Sequence, residues 1–144
     1  MVVLAVGLPG SGKSAWLKRH GIHPLSSDRL RGLLLDDETD QSRQSLVFGT
    51  LRFLLRMRLL AGRPATYVDA TNLTHAERRP YIRMAERFGY DLEALFFDVP
   101  VAVCLERNRR RRRRVPEQAM LRMARKLRPP AYGEGFRKIT VIRK

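Results

Sequence analysis

Residues 7–14 constrain the possible folds of this chain more than any other stretch. They read Gly-Leu-Pro-Gly-Ser-Gly-Lys-Ser, after an apolar run at 2–6 and before a helix-compatible run at 15–19. A strand, a glycine-rich turn and a helix in this order form a loop whose backbone N–H groups and helix N-terminus face an anion. The sequence therefore predicts a protein that binds the phosphates of ATP or GTP.

Within this loop each residue type has an expected contact. Gly10, Ser11 and Gly12 present backbone N–H groups to the nucleotide phosphates. Lys13 reaches the β- and γ-phosphates, and the hydroxyl of Ser14 is a ligand for Mg²⁺. The alternative, a glycine-rich turn that matches by chance, is disfavoured because the pattern is complete and lies between a strand and a helix.

Two acidic residues follow predicted strands further along the chain. Asp28 ends a short strand from Leu25, and Asp69 ends a strand from Ala65. In open α/β sheets the carboxyl ends of the strands converge on the ligand crevice, so Asp28 is expected beside the phosphates. Asp69 is typical of an acid that holds Mg²⁺ directly or through water. Each acid has a plainer alternative, since Asp28 could cap a helix and Asp69 could merely end its strand.

Helix and strand patterns alternate along the rest of the chain. Helices are predicted over 29–35, 41–61, 75–88, 100 onwards and 115–127, and further strands over 92–99 and 138–142. With the strands already described, the count is five strands with helices between them. The predicted fold class is α/β, a P-loop NTPase of the nucleotide-kinase type with a mostly parallel five-stranded sheet, in one domain over 1–144.

Several residues mark the ends of these helices. Thr74 with Glu77 forms a capping box before the helix at 75–88, and Gly89 is its expected C-cap. Pro100 is predicted at the first position of the following helix. His75 is interpreted as a solvated first-turn residue, because no partner for it is evident in the sequence.

The charge balance favours a polyanionic partner. The chain has 29 Lys and Arg against 14 Asp and Glu, a formal net charge of +15 at pH 7. Such an excess favours nucleic acid through phosphate neutralisation and counterion release. An arginine-rich codon usage would raise the same count, so charge alone does not decide between nucleic acid and smaller ligands.

Arginines are concentrated at 107–114, where Asn108 is the one interruption. Such a run is usually a solvated face or a disordered tail. This run lies between two predicted helices, where a lid over the phosphates is expected. We call residues 107–116 the lid, and we expect some of its arginines to neutralise charge during phosphoryl transfer.

Targeting and redox features are few. Cys104 is the only cysteine, so no intramolecular disulfide can form and a reducing cytoplasm is expected. The first residues lack a basic region, and no apolar span reaches 18 residues. We expect a soluble cytoplasmic protein without a membrane partner, and the sequence leaves its oligomeric state open.

Taken together, five groups of residues resemble the P-loop polynucleotide 5′-hydroxyl kinases, which include the kinase modules of phage and bacterial end-healing enzymes. They are residues 7–14, Asp28 with Arg31, residues 69–72, Arg107-Asn108 with Arg111, and residues 133–136. The resemblance covers nearly the whole chain. The Asp-x-x-Arg spacing is its most specific part, because the P-loop is shared by a vast superfamily.

The resemblance implies roles on the acceptor side. Asp28 would be the general base that takes the proton from the attacking 5′-hydroxyl, and Arg31 would grip the acceptor phosphate next to the reacting nucleotide. Asp69, Thr71 and Asn72 would help to hold the acceptor end or a metal-bound water.

On the donor side, Arg111 would clamp the phosphates and stabilise transition-state charge, with Arg107 nearby. Because the lid has many arginines, an arginine other than Arg111 could also be the one that clamps the phosphates. Such enzymes often carry a fused phosphatase or ligase domain, and none is expected within residues 1–144.

Three functions are compatible with these features. The first is a Mg²⁺-dependent kinase that moves the γ-phosphate of ATP, or of another nucleoside triphosphate, to a 5′-hydroxyl end of RNA or DNA. The second keeps the nucleotide but phosphorylates a small molecule such as a nucleoside, sugar or antibiotic. The third is a nucleotide-dependent RNA-binding switch with little turnover, in which Asp28 only caps a helix.

Overall fold

The computed structural model describes residues 1–112 and 114–143, and its centre is a five-stranded sheet. The strands are Val2–Val6 (β1), Leu25–Ser26 (β2), Thr66–Asp69 (β3), Leu92–Phe97 (β4) and Lys138–Ile142 (β5). They lie in the order β2-β3-β1-β4-β5, and each neighbouring pair is parallel. The predicted α/β class is confirmed, and the sheet is wholly parallel where the sequence predicted a mostly parallel one.

Helices occupy the connections between the strands. They are Lys13–Arg19 (α1), Ser27–Leu35 (α2), Gln44–Leu60 (α3), His75–Phe88 (α4), Val101–Arg109 (α5) and Glu117–Lys126 (α6), and a short 3₁₀ turn follows at Tyr132–Glu134. Most boundaries fall within three residues of the predicted ones. The helix predicted over 75–88 and the strand predicted over 138–142 agree at both ends.

The start of α2 differs from the prediction and changes the interpretation of Asp28. The helix begins at Ser27, so Asp28 lies in its first turn rather than at the end of a strand. The Oγ of Ser26 accepts a hydrogen bond from the backbone N–H of Arg29 at 3.2 Å. Ser26 is therefore the N-cap, as its residue type allows, and the alternative that Asp28 caps this helix is wrong.

The other predicted helix ends are confirmed with one correction. Thr74 Oγ1 accepts from the backbone N–H of Glu77 at 3.1 Å, as a cap requires. Gly89 ends α4 with a left-handed φ of 73°, which glycine adopts without steric cost. Pro100 has an extended ψ of 142° and lies one position before the helix, not at its first residue.

The core lies on both faces of the sheet. Val2 and Leu4 of β1 face the side covered by α3 and α4, where Leu51 and Leu55 are fully buried. The alternate residues of β1 face the other side and pack around Leu17 of α1. Helix α3 therefore packs against the sheet, as its apolar residues predicted.

A third apolar cluster lies at the carboxyl edge of the sheet. It contains Leu8 of the glycine-rich loop, Leu73, Val99, Cys104 of α5 and Met120 of α6. This cluster packs the loop against the helices that precede and follow the arginine run. The buried thiol of Cys104 has a raised pKa because of its burial.

Among the described residues, no helix combines the length and apolar content that crossing a membrane requires.

Candidate active site

The loop between β1 and α1 has the backbone geometry of a phosphate cradle. Gly10 and Gly12 have φ angles of 82° and 95°, which L side chains rarely adopt. A Cβ atom on Gly10 would also lie 2.8 Å from the carbonyl oxygen of Cys104. Glycine is thus required at both positions, and the loop can turn its N–H groups toward a bound anion.

Ser11 carries a buried hydroxyl whose hydrogen-bonding capacity is unused. The residue is 3% exposed, and its Oγ has no hydrogen-bond partner within the described part of the chain. A buried polar atom without a partner is costly, and the oxygens of a nucleotide phosphate would accept from it. The residues of the loop therefore fit a bound nucleoside triphosphate.

Lys13 is folded back onto its own loop. Its Nζ donates to the carbonyl oxygens of Gly7 at 2.8 Å and Leu8 at 2.9 Å. Burial lowers the pKa of Lys13, the negative charges of Asp69 and Asp28 oppose that effect, and the charge of Arg111 adds to it. The site thus places a desolvated ammonium group within electrostatic range of two carboxylates and an arginine of the lid.

Ser14 and Asp69 form a direct contact. The hydroxyl of Ser14 donates to Oδ2 of Asp69 at 2.7 Å. Hydroxyl and carboxylate oxygens are the hard ligands that Mg²⁺ prefers, and this ion usually keeps water and substrate phosphate as its other ligands. No group of three or more potential ligating side chains is found in residues 1–112 and 114–143. A hydroxyl beside a single carboxylate suits Mg²⁺, which needs few protein ligands.

Asp28 and Arg31 are paired one helical turn apart on α2. Arg31 Nη1 lies 2.7 Å from Asp28 Oδ1, and the two side chains are 7% and 58% exposed. Gln44 Oε1 accepts from Nη2 of Arg31 at 2.9 Å, and the guanidinium lies over the ring of Phe48. The arginine is therefore held from α3, while the carboxylate beside it is open to solvent.

The loop after β3 contains Thr71 and Asn72, which were expected near the acceptor. Thr71 is half-buried, and its carbonyl oxygen accepts from the N–H of Gly7 at 3.0 Å. Asn72 is 3% exposed and has a left-handed φ of 48°. Its Nδ2 donates to the carbonyl oxygen of Ala5 at 2.7 Å, so its side chain joins this loop to β1. Contact of either residue with an acceptor stays a prediction.

Sequence reasoning missed a buried ion pair behind this loop. Arg78 of α4 is fully buried, and its Nε and Nη2 donate to the carboxylate of Glu134 at 2.9 and 3.1 Å. Its Nη1 donates to the carbonyl oxygen of Asn72 at 2.7 Å. Arg78 thus links the 3₁₀ turn to the left-handed residue of the loop, and it is a positioning residue for that loop.

His75 has a partner that the sequence did not indicate. Its Nε2 lies 3.7 Å from Oε2 of Glu134, and its side chain is 52% exposed. The expectation that nothing pairs with His75 was therefore wrong, although its exposure agrees with a first-turn residue.

The lid begins inside α5, which ends at Arg109, and its last residue directly precedes Glu117, the first residue of α6. Arg107 Nη1 donates to the carbonyl oxygen of Gly10 at 3.1 Å, so this arginine contacts the phosphate cradle. Asn108 is 1% exposed, and its side chain makes two hydrogen bonds with the backbone of Val115, at 2.6 and 2.9 Å. This pair closes the base of the loop between the two helices.

The remaining lid arginines differ in their surroundings. Arg109 and Arg110 are paired with acids, namely Glu117 and Glu106. Arg111 is exposed, yet its charge acts on Lys13. Arg113 lies outside the described residues, so the structure does not describe every lid arginine that could be the predicted phosphate clamp.

The model of one protein family, the AAA domain family AAA_33, matches residues 2–130. Among solved structures, a chain of the Pnkp1/Rnl/Hen1 RNA repair complex is 22% identical with a TM-score of 0.74, and the match covers 88% of this chain and 43% of that one. This chain therefore spans less than half of the length of that relative.

Two further matches are small-molecule kinases. A sugar kinase from Janibacter is 18% identical with a TM-score of 0.67, covering 99% of this chain and 84% of that one. APS kinase CysC from Mycobacterium tuberculosis is 27% identical with a TM-score of 0.54, covering 74% and 67%. These matches have a P-loop kinase fold in common with this chain, and they differ in the molecule that is phosphorylated.

Proposed function

The chain belongs to the AAA domain family AAA_33. We propose that it is a kinase that transfers the γ-phosphate of ATP to the 5′-hydroxyl end of RNA or DNA. The observation that carries this proposal is the Asp28–Arg31 pair. It combines an open carboxylate with a guanidinium held in place by Gln44 and Phe48. Phosphoryl transfer to a 5′-hydroxyl end requires a base near the hydroxyl and a positive group that binds the neighbouring phosphate of the acceptor.

The donor nucleotide is held by the glycine-rich loop. Backbone N–H groups around Gly10 and Gly12, with the hydroxyl of Ser11, bind its phosphates. Ser14 and Asp69 would hold Mg²⁺, which would supply charge neutralisation at the phosphate oxygens. The APS kinase structure contains AMPPNP, which supports an adenine nucleotide as the donor.

In the transfer step, the carboxylate of Asp28 takes the proton of the acceptor hydroxyl. The hydroxyl oxygen forms a bond to the γ-phosphorus, the bond from that phosphorus to the bridging oxygen breaks, and ADP leaves. Lys13 leaves the carbonyl oxygens of Gly7 and Leu8 to reach the phosphates, and Arg111 adds positive charge from the lid. These cations stabilise the charge that develops on the transferring group.

Three features support a polynucleotide as the acceptor. The net charge of +15 suits a polyanion. The Asp-x-x-Arg spacing matches the kinases of nucleic-acid end healing, and one structural relative is part of an RNA repair complex. A cytoplasmic location belongs to the same proposal, since nucleic acid and ATP are available there.

A small-molecule acceptor is the second candidate. It is favoured by the Janibacter sugar kinase, of which this chain covers 84%. The nucleotide-switch alternative is weaker, because it required Asp28 to cap α2 and Ser26 has that role.

The test is a transfer assay with γ-labelled ATP, Mg²⁺ and a panel of acceptors. The panel contains RNA and DNA oligonucleotides with 5′-hydroxyl or 5′-phosphate ends, together with nucleosides and sugars. We expect label only in the 5′-hydroxyl oligonucleotides, and their relative rates identify the preferred polymer. Label in a nucleoside or sugar but in no oligonucleotide would establish the second candidate instead.

A further inference from the structure

Helix α6 lies across the edge of the sheet that contains the active site. Met120 on its inner side is fully buried in the cluster that includes Leu8 of the glycine-rich loop and Leu73 of the loop after β3. Just beyond the helix, the backbone N–H of Arg128 donates to the carbonyl oxygen of Leu73 at 2.8 Å. The helix therefore runs from the lid to the loop that was predicted to hold the acceptor.

The opposite side of α6 is exposed and slightly concave. Gln118, Leu121, Arg122 and Arg125 line a shallow groove of about 200 Å³ there. Leu121 is 40% exposed beside the two arginines, and Gln118 adds both a donor and an acceptor. We call these four residues the α6 groove.

The two arginines of the α6 groove are not neutralised. Within residues 1–112 and 114–143, neither guanidinium has a carboxylate partner, whereas Lys126 on the same helix lies 3.8 Å from Glu77. Two unpaired cations three residues apart repel each other, so their proximity lowers stability unless an anion binds. The groove thus has the charge and donors for phosphate, with the apolar side chain of Leu121 beside them.

The lid, which directly precedes α6 in the chain, adds further positive charge. Arg111 and Arg112 are exposed and likewise lack a carboxylate partner in the described part of the protein. A strand that leaves the active site past the lid would therefore meet positive charge before it reaches α6. To reach the outer side of α6 from the loop after β3, an acceptor must pass a helix whose diameter with side chains is about 10–12 Å, which favours a strand over a single nucleoside or sugar.

We propose that the α6 groove binds the sugar-phosphate backbone of the acceptor strand, downstream of its reacting 5′ end. Arg122 and Arg125 bind phosphates, Gln118 donates to a sugar or phosphate oxygen, and Leu121 packs against a sugar or base. This inference rests on the proposed function, because it assigns a polymeric acceptor to the same active site.

Helix α4 carries a second row of arginines, Arg79, Arg83 and Arg87, and provides the matched control. The helix starts at the carboxyl edge of the sheet and ends at Gly89, shortly before β4 begins at the amino edge. Arg83 and Arg87 therefore lie away from the active site. Removing them lowers the net charge as much as removing the two arginines of the α6 groove.

The experiment compares the double variant Arg122→Ala/Arg125→Ala with Arg83→Ala/Arg87→Ala. For each, kcat/KM is measured with a 5′-hydroxyl dinucleotide and with a long 5′-hydroxyl oligonucleotide. We expect the α6 variant to lower the ratio of kcat/KM for the long acceptor to kcat/KM for the dinucleotide about tenfold. The slope of the logarithm of the long strand's binding constant against the logarithm of salt concentration should become shallower by about 1.4. The α4 variant should leave both quantities near the wild-type values.

A binding measurement separates this inference from the proposed function. Fluorescence anisotropy with a labelled 5′-phosphate oligonucleotide, without ATP, measures strand binding in the absence of transfer, and the comparison of the two variants isolates the contribution of the groove. If the α6 variant weakens this binding more than the α4 variant while no 5′-hydroxyl end is phosphorylated, the groove stands and the kinase proposal fails. If 5′-hydroxyl ends are phosphorylated but the two variants bind and react alike, the α6 groove has no such role. No binding by the wild type would also overturn it.

Discussion

The hydroxyl of Ser14 donates to Oδ2 of Asp69 at 2.7 Å, although 55 residues separate them in the chain. The contact joins the first turn of α1 to the carboxyl end of β3, and Asp69 pairs in register with Ala5 of β1. The two oxygens expected to hold Mg²⁺ are thus brought together by the sheet itself. Their closeness follows from the parallel pairing of β1 with β3.

Asp69→Asn should weaken the binding of Mg²⁺ at the active site. The amide keeps the size of the side chain but removes its charge, so we expect kcat/KM for ATP to fall about 100-fold and the Mg²⁺ requirement to rise. The measurement is the initial rate of ATP consumption over a Mg²⁺ titration. Ser14→Thr retains the hydroxyl and serves as the control. An unchanged Mg²⁺ dependence in Asp69→Asn would show that this carboxylate does not hold the ion.

Arg78→Ala should destabilise the protein strongly. Removing one member of a buried ion pair leaves the carboxylate of Glu134 without its partner, which costs about 3–5 kcal/mol in free energy of unfolding. Urea unfolding followed by circular dichroism measures the change. Arg137→Ala removes an exposed arginine that is paired with Glu93, and a much smaller change is expected. Equal losses in the two variants would contradict the structural role of Arg78.

The same ion pair predicts a dependence of stability on pH. Burial raises the pKa of Glu134, but hydrogen bonds from Arg78 and from the N–H of Ala131, with the charge of Arg78, outweigh burial and lower this pKa below the ordinary value of 4.5. The stabilisation is therefore complete above pH 4.5 and is lost as the pH falls through the lowered pKa.

Glu134→Gln tests that dependence, because the amide does not titrate in this range. We expect the difference in unfolding free energy between wild type and variant to be constant near neutral pH and to shrink below pH 4.5. Urea unfolding at a series of pH values measures it. A difference that stays constant down to low pH would contradict ionised Glu134 as the partner of Arg78.

Tyr81 should titrate at unusually high pH. It is 2% exposed, and burial raises its pKa to about 12. Because the native pKa lies above the ordinary value of 10.0, Tyr81 stabilises the fold fully below pH 10 and loses this contribution as the pH rises toward 12. The difference between the alkaline absorbance titrations of wild type and Tyr81→Phe isolates this group. A midpoint near 10 in that difference would show that the ring is accessible to water.

The sequence predicted the features that depend on local pattern. The strand at 2–6, the glycine-rich loop and the helix after it follow from residue type and order, as does the cap at Thr74. Asp69 was expected at the end of a strand near the glycine-rich loop, and it lies there because parallel strands bring their carboxyl ends together whatever their sequence separation.

The sequence did not predict features that depend on packing between distant elements. Arg78 looks like a solvated helical residue, and its contact with Glu134 spans 56 residues. One signal was available, since Arg78 lies at helical spacing from Tyr81, Ile82 and Ala85 on the buried face of α4. The support of Arg31 by Gln44 likewise depends on how α2 and α3 pack.

The start of α2 was misplaced for a local reason. Ser26, Ser27 and Asp28 are all residue types that cap helices, so composition alone did not identify the cap. The structure places Ser26 there and leaves Asp28 in the first turn with an open carboxylate. Because Ser26 caps the helix, the carboxylate of Asp28 is not needed as the cap and is available for proton transfer.

The most direct test of Asp28 as the catalytic base is single-turnover transfer from γ-labelled ATP to a 5′-hydroxyl oligonucleotide by wild type, Asp28→Asn and Ser26→Ala. Ser26→Ala should lose about 1 kcal/mol of stability and keep its transfer rate, because it removes only the cap. Asp28→Asn should keep its affinity for ATP and lose at most about 1 kcal/mol of stability with the Arg31 ion pair, and its transfer rate should fall at least about 100-fold. Full transfer by Asp28→Asn would contradict the assignment of Asp28 as the base and, with it, the proposed mechanism.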